Sequence, residues 1–188
     1  MSREELIKKL TSKDLAKAVY LSQLLFFVLS IILWLIFIRD FHTMKQLFQL
    51  NFDDIFYYGV LIALVLVVVE IIMGKLIPKK YFDDGGINEK LFKGQAVPGI
   101  FSIALVVAIC EELLFRGVIQ TVFGYIFASS LFVIFHTRYL KKPLLLLMVI
   151  ITSFLIGYLF EVTNNILVTI TFHFVVDFVL GLYIKYSK

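Results

Sequence analysis

The chain has 188 residues, of which 61% are apolar and only 17% are charged, and its mean hydropathy is +0.95. Soluble domains are roughly half apolar and a quarter charged, so this composition excludes a water-soluble globular domain. The formal net charge of +4 is small, and the basic residues fall in predicted loops rather than on one face. Nucleic acid is therefore not an expected partner, and the single cysteine excludes an intrachain disulfide.

The first predicted element is a polar segment at residues 1–15. Ser2 and Glu5 have the spacing of a capping box, and leucines recur at helical spacing beside lysines. This pattern is typical of an amphipathic helix that lies on the membrane surface, and we expect it to anchor the chain.

Six apolar runs follow and predict six membrane spans. The first run is too long for the apolar region of a signal peptide, and no small-residue cleavage site follows it. The fourth run is short, and polar or turn-forming residues separate the runs. The runs lie at residues 16–38, 57–77, 98–124, 125–139, 144–160 and 166–184. No internal repeat or linker is present, so residues 1–188 are expected to form a single all-α integral membrane domain, with the lipid bilayer as a partner.

The basic residues predict the orientation of these spans. If the N-terminus lies in the cytosol, the outer loops contain only Arg39 and Lys45, and the other loop lysines and arginines lie inside. Cytosolic loops of membrane proteins carry an excess of lysine and arginine. The sequence therefore predicts that both termini are cytosolic.

Ionisable side chains within the predicted spans are the main candidates for function. Each costs about 2.5–3.5 kcal/mol on insertion scales, so such residues are rare unless they have a task. Six of the seven fall in the last 80 residues, on three predicted helices. The seven residues are Glu70, Glu111, Glu112, Arg116, His136, His173 and Asp177.

Helical spacing predicts how these side chains pair. Glu112 and Arg116 are four residues apart and can form a buried ion pair on one face. Glu111 is rotated by about 100 degrees from Glu112 and can face a separate cavity. His173 and Asp177 are again four apart, so the carboxylate can fix the tautomer of the imidazole.

Three motifs lie in chain order on the three predicted helices that carry these six ionisable residues, and together they resemble a known family. EExxxR runs from Glu111 to Arg116, FxxxH from Phe132 to His136, and HxxxD from His173 to Asp177. Together they resemble the CAAX-protease and bacteriocin-processing family (CPBP, or Abi) of intramembrane endopeptidases. The resemblance covers residues 98–184, and residues 1–97 would supply the amphipathic helix and two supporting spans.

The resemblance implies hydrolysis of a peptide bond in a membrane-associated peptide or lipidated protein tail. Glu111 would be the general base and would polarise a water molecule together with His136. Glu112 and Arg116 would be a supporting pair that fixes the helix carrying Glu111.

The resemblance also assigns His173 and Asp177 to the oxyanion of the tetrahedral intermediate. Prenyl-protein-processing members have Asn where this chain has Asp177. An ionised carboxylate cannot donate a hydrogen bond, so Asp177 either acts in its protonated form or orients His173 instead.

The dependence on a metal ion stays open at this point. No HExxH motif is present, which favours a mechanism without a cofactor. A zinc ion held by Glu111, His136 and His173 with an open position is the alternative.

Two other functions compete with a protease. Intramembrane carboxylate and histidine sets also occur in proton- or ion-coupled transporters, although the six spans show no repeat symmetry. A catalytically silent scaffold of the same family, with a membrane protein as partner, is the third reading. Glu70 matches no motif, and we expect it to snorkel or to pair with Lys75.

Overall fold

The computed structural model describes residues 10–78, 81, 84–139 and 142–187. Within these residues the chain is helical and contains no strand. Most of the predicted surface helix at residues 1–15 lies outside the described residues. Eight helices of at least seven residues are present in the described part: α1 (Ser12–Phe37), α2 (Phe41–Leu47), α3 (Phe52–Leu76), α4 (Ile87–Lys93), α5 (Val97–Phe123), α6 (Tyr125–Phe135), α7 (Pro143–Thr163) and α8 (Ile166–Tyr186). A short 3-10 helix, Thr137–Tyr139, follows α6.

Five of the described helices are long and apolar enough to cross a membrane, namely α1, α3, α5, α7 and α8. The expected all-α, polytopic membrane fold is thereby confirmed. The fourth predicted run differs, because α6 has only 11 residues. Its length of about 16 Å is roughly half of the ~30 Å hydrocarbon core of a bilayer.

Polar contacts define two ends of the bundle, which we name after the short helices that lie there. At the α4 end, Ser12 Oγ donates a hydrogen bond to the carbonyl of Leu91 (2.9 Å), and Arg138 forms an ion pair with Asp84 (3.2 Å). α1 begins at this end and the turn after α6 returns to it, so α6 reverses the chain direction despite its length.

The opposite end, the α2 end, is where α1 finishes and α8 begins. Asn165 caps the N-terminus of α8 by accepting a hydrogen bond from the backbone N–H of Leu167 (3.0 Å). The amide nitrogen of the same side chain donates to the carbonyl of Gln49 (2.7 Å), between α2 and α3. Asn165 therefore joins the start of α8 to the loop between α2 and α3.

Several helix boundaries differ from the predicted ones for local reasons. Thr11 and Asp14 form a capping box, so residues 12–15 belong to the first span rather than to a separate surface helix. The short helices α2 and α4, seven residues each, fall in segments predicted as loops. Gly124 has φ +86, a conformation that favours glycine, and it separates α5 from α6.

α5 changes its helical form directly after the two neighbouring glutamates. Val97–Glu112 is α-helical and Leu113–Gln120 is a π-helix. π-helical turns are rare in proteins as a whole, and those that occur are often found at functional sites. Every residue from Leu114 to Gln120 is buried, so this part of α5 lies in the centre of the bundle.

Two apolar clusters pack the helices of the bundle together. One cluster joins α3, α7 and α8 through buried residues such as Ala63, Ile156 and Phe172. Another joins α1, α5 and α6, with Phe115 and Phe132 at its centre. Large apolar side chains cover the outside of the helices, as expected for a surface in contact with lipid.

α6 and α7 approach each other closely at Gly157. A Cβ atom at this position would lie 2.6 Å from Ser129 Oγ and 2.7 Å from Tyr125 Cε2. The Tyr125 hydroxyl donates a hydrogen bond to the carbonyl of Phe154 (2.9 Å), which restricts the movement of the ring. The absence of a side chain is therefore required for this helix contact.

We predict that Gly157→Ala destabilises the fold by about 1–3 kcal/mol, since overpacking forces neighbouring groups to shift. Thermal unfolding in detergent, followed by the fluorescence of Trp34, measures the effect. Gly74→Ala is the matched control, because a Cβ there meets no atom within 4 Å. Equal melting temperatures for the two variants would contradict the close approach of α6 and α7.

Candidate active site

A fully buried ion pair lies at the centre of the site. The side chains of Glu112 and Arg116 are both 0% exposed, and Arg116 Nε lies 3.3 Å from Glu112 Oε2. The other carboxylate oxygen, Oε1, lies 2.9 Å from Nδ1 of His173. Because a carboxylate accepts hydrogen bonds, Nδ1 donates in this contact. Glu112 thus joins α5 to α8, and the ion pair that the four-residue spacing predicts is present.

Arg116 extends this cluster to two further helices. Its Nη2 atom donates to the carbonyl of Ser153 on α7 (3.1 Å). Its guanidinium carbon lies 5.2 Å from the ring centroid of Phe132 on α6, within the range of a cation–π contact. One side chain therefore contacts the two helices that enclose the π-helical part of α5.

His173 faces a carboxylate on each side of its ring. Nε2 lies 3.5 Å from Asp177 Oδ2, which is long for a hydrogen bond but within ion-pair distance. The side chain of Asp177 is 35% exposed, whereas that of Glu112 is completely buried. His173 therefore connects the buried carboxylate to a more accessible one.

Glu111 has a different environment from its neighbour Glu112. It is 6% exposed, and no basic side chain forms an ion pair with it in the described part of the chain. Its Oε1 atom accepts a hydrogen bond from Nε2 of Gln23 on α1 (2.8 Å). Its Oε2 atom is buried and has no donor among the described residues.

Gln23 is not among the predicted site residues, because those are the ionisable groups within the spans and an amide carries no charge. A polar amide within the apolar run at residues 16–38 is also costly in a membrane, and it indicates a functional residue less strongly than a charged group does. The contact of Gln23 with Glu111 depends on how α1 packs against α5, and the spacing of residues along one helix does not predict that packing.

His136 occupies the C-terminal cap of α6. Its Nδ1 atom lies 2.8 Å from the carbonyl oxygen of Phe132. A carbonyl oxygen only accepts hydrogen bonds, so Nδ1 carries the proton, and Nε2 of the neutral ring is left as an acceptor. The rings of Phe132 and His136 also stack, with their centroids 4.4 Å apart.

Phe132 brings the predicted residues of three helices together. Its ring contacts His136, lies 6.2 Å from the ring of His173, and also contacts Arg116. The phenylalanine of the FxxxH motif is therefore a structural neighbour of the polar groups rather than an incidental apolar residue.

The alternative zinc set was tested against the same geometry. No group of three or more His, Cys, Asp and Glu side chains able to hold a metal ion occurs within the described ranges. Both ring nitrogens of His173 face carboxylates. Glu111, His136 and His173 are therefore not assembled into a metal-binding group in the described part of the chain.

Glu70 lies on α3, outside the three motifs. No ion pair with Lys75 is found in the part of the chain that the structure describes. Glu70 on α3 instead interacts electrostatically with Asp177 on α8, so the expected pairing within α3 is not found.

An apolar cavity of about 230 Å³ lies beside the site on the side of the α2 end. Leu113 and Gly117 contribute to it from the π-helical part of α5, and Trp34 contributes from α1. Leu113 and Gly117 directly follow the two residues of the buried ion pair along α5.

Comparison with known proteins agrees with this arrangement of residues. Residues 93–179 match the family model described as type II CAAX prenyl endopeptidase Rce1-like, and this segment contains the three motifs. The chain is also 38% identical to the uncharacterized protein YpbD of Bacillus subtilis (strain 168) over 167 residues, which cover 89% of this chain and 88% of the relative. No solved structure matches the chain. The chain therefore belongs to the Rce1-like, type II CAAX prenyl endopeptidase family of integral membrane proteins, within the wider CPBP group.

Proposed function

We propose that the protein is an intramembrane endopeptidase in which Glu111 activates water for the hydrolysis of a peptide bond. The observation that carries the proposal is the difference between two neighbouring buried carboxylates. Glu112 is neutralised by Arg116 and His173. Glu111 forms no ion pair with the described residues, and its hydrogen-bond partner is the amide of Gln23. Glu111 is therefore the carboxylate that is free to take a proton from water.

The reaction needs one water molecule and one peptide bond. Glu111 removes a proton from the water while Nε2 of His136 accepts its second hydrogen as a hydrogen bond. The water oxygen attacks the carbonyl carbon and forms a tetrahedral intermediate. The C–N bond then breaks, and the proton held by Glu111 passes to the leaving amine. The products are a new carboxyl terminus and a new amino terminus.

His173 supplies the hydrogen bond to the oxyanion in this proposal. In its protonated form the ring donates from both nitrogens, one to Glu112 and the other to the intermediate. Asp177 faces the second nitrogen at 3.5 Å, and its ionised form cannot donate. We therefore assign Asp177 to holding the ring of His173 rather than to contacting the oxyanion.

The proposed mechanism uses no metal ion or other cofactor. Its support is that no group of three or more His, Cys, Asp and Glu side chains among the described residues is placed to hold a metal ion. The substrate is proposed to be a membrane-associated peptide or lipidated protein tail, in agreement with the family. The apolar cavity beside α5 would accommodate an apolar group of such a substrate.

The substrate is proposed to enter from the cytosol at the α4 end. In the described part of the chain, the α2 end contains Arg39 and Lys45 outside the long helices. The α4 end contains many more basic residues, which are Lys13, Lys17, Lys75, Lys90, Lys93, Arg138, Lys142 and Lys185. An excess of lysine and arginine favours the cytosolic side of the membrane.

Cleavage of a quenched-fluorescent peptide library, together with a farnesylated CAAX-type peptide, tests the function of the purified protein. We expect Glu111→Gln to lower the rate about 10²–10⁴-fold, the usual contribution of a general base. His136→Ala and His173→Ala are expected to lose activity as well, and a strong zinc chelator is expected to have no effect on the wild type.

Glu161→Gln is the matched control for this experiment. It makes the same chemical change near the end of α7, where the carboxylate accepts a hydrogen bond from Gln120 (2.8 Å). Full activity of Glu111→Gln would contradict the mechanism, and inhibition by the chelator would assign the reaction to zinc. No cleavage by the wild type would favour the transporter or the silent scaffold.

The buried ion pair is expected to stabilise the fold rather than to contact the substrate. Arg116→Met leaves the carboxylate of Glu112 buried without its guanidinium partner, which costs about 3–5 kcal/mol. The melting temperature in detergent measures this loss, and Glu112→Gln in the same chain is expected to recover part of it. Lys93→Met is the control, since it breaks an exposed ion pair with Glu89 worth at most about 1 kcal/mol. Equal losses for the two single variants would contradict this role.

The orientation is tested with single cysteines in a Cys110→Ala background. We expect a membrane-impermeant maleimide to label Lys45→Cys in intact cells, and to label Lys93→Cys only after the membrane is permeabilised. Lys45 and Lys93 are both exposed, at the α2 end and the α4 end respectively. The reverse labelling pattern would place the α4 end outside the cell.

A further inference from the structure

We propose that Gln23 on α1 is a positioning residue that sets the orientation of the Glu111 carboxylate. The proposal rests on the proposed function, since it concerns how the general base is held. The segment that matches the family model begins at residue 93, so Gln23 lies outside it. A helix that the motifs do not include would thus contribute to the active site.

The contact between the two side chains is short and buried. Gln23 is 4% exposed and Glu111 is 6% exposed, and the distance from Nε2 to Oε1 is 2.8 Å. The neighbour of the amide is a carboxylate, so the orientation with nitrogen towards Glu111 is the one that makes a hydrogen bond. A hydrogen bond to a charged acceptor in an apolar environment is also stronger than one between neutral groups.

This contact makes the two oxygens of Glu111 unequal. Oε1 is occupied by the amide, which leaves Oε2 as the oxygen available to take a proton from water. A carboxylate without this partner can rotate about its last side-chain bond, whose torsional preference is broad. Gln23 therefore limits the directions from which water can reach the base.

Two further atoms support a site for water at this position. Glu111 Oε2 and Gln23 Oε1 are both buried acceptors without a donor among the described residues. Buried polar atoms of folded proteins are nearly always hydrogen-bonded. One water molecule that donates to Glu111 Oε2 and a second one that donates to Gln23 Oε1 would satisfy the two oxygens, and the first keeps its other hydrogen for Nε2 of His136.

The interface between α1 and α5 offers a matched control. The hydroxyl of Tyr20, three residues before Gln23, donates to Ser102 Oγ on α5 (2.9 Å) in an exposed contact. Tyr20→Phe therefore removes a hydrogen bond between the same two helices without contacting Glu111. A merely structural role for Gln23 predicts that Gln23→Met and Tyr20→Phe affect catalysis alike.

The test compares these variants on the peptide that the wild type cleaves best. We expect Gln23→Met to lower kcat by about 10–100-fold, because misplacement of a reacting group by about 1 Å costs up to 10²-fold. KM is expected to be unchanged, since the amide does not bind the peptide. Gln23→His, which keeps an N–H donor at a similar reach, is expected to restore part of kcat. A kcat of Gln23→Met equal to that of Tyr20→Phe would overturn the proposal.

A second measurement does not require a substrate. The infrared carboxyl bands of the wild type minus those of Glu111→Gln give the signal of Glu111. We expect this signal to move in Gln23→Met and to stay in place in Tyr20→Phe. An unmoved signal would overturn the proposal even if the wild type cleaves peptides. If the wild type cleaves none, the proposed function fails, and the infrared result alone decides whether Gln23 holds Glu111.

Discussion

The structure depends on the pairing of charges that have been removed from water. Each ionised side chain within a bilayer costs several kcal/mol unless a partner compensates it. Glu112 and Arg116 are both completely buried, and their partners come from three other helices: His173 on α8, Ser153 on α7 and Phe132 on α6. Because apolar side chains do not prefer each other over lipid tails, such contacts specify which helices are neighbours. The cluster that makes the motif helices costly to insert is thus also what holds them together.

The chemical asymmetry of the site follows from this pairing. Two adjacent residues of α5 point into different surroundings, and among the described residues only Glu112 forms ion pairs. α5 changes from α-helix to π-helix directly after Glu112, and the residues from Leu114 to Gln120 are all buried. Arg116 is therefore directed at Glu112 and at the helices behind it. Glu111 faces α1, where the uncharged amide of Gln23 holds its carboxylate by a hydrogen bond and does not neutralise its charge.

Much of this arrangement was predictable from the sequence, and the rest was not for physical reasons. Continuous apolar runs predict the long helices, and a four-residue spacing predicts the pair of Glu112 and Arg116, because both depend on one helix alone. Contacts between helices, such as that of Gln23 with Glu111 or of Arg116 with Ser153, depend on packing that periodicity does not encode. The helices α2 and α4 are only seven residues long, too short for a periodic pattern to separate them from loops.

The shortness of α6 has a consequence for the surrounding lipid. A helix of 11 residues is too short to match the hydrocarbon thickness, and such a mismatch is relieved by local thinning of the bilayer or by polar groups entering it. His136 lies at the end of this helix, followed by a turn that an ion pair holds at the α4 end. The headgroup region and its water would therefore reach deeper here than beside the long helices. Hydrolysis consumes water, and a thinner layer of lipid beside α6 would shorten the distance between the headgroup region and His136.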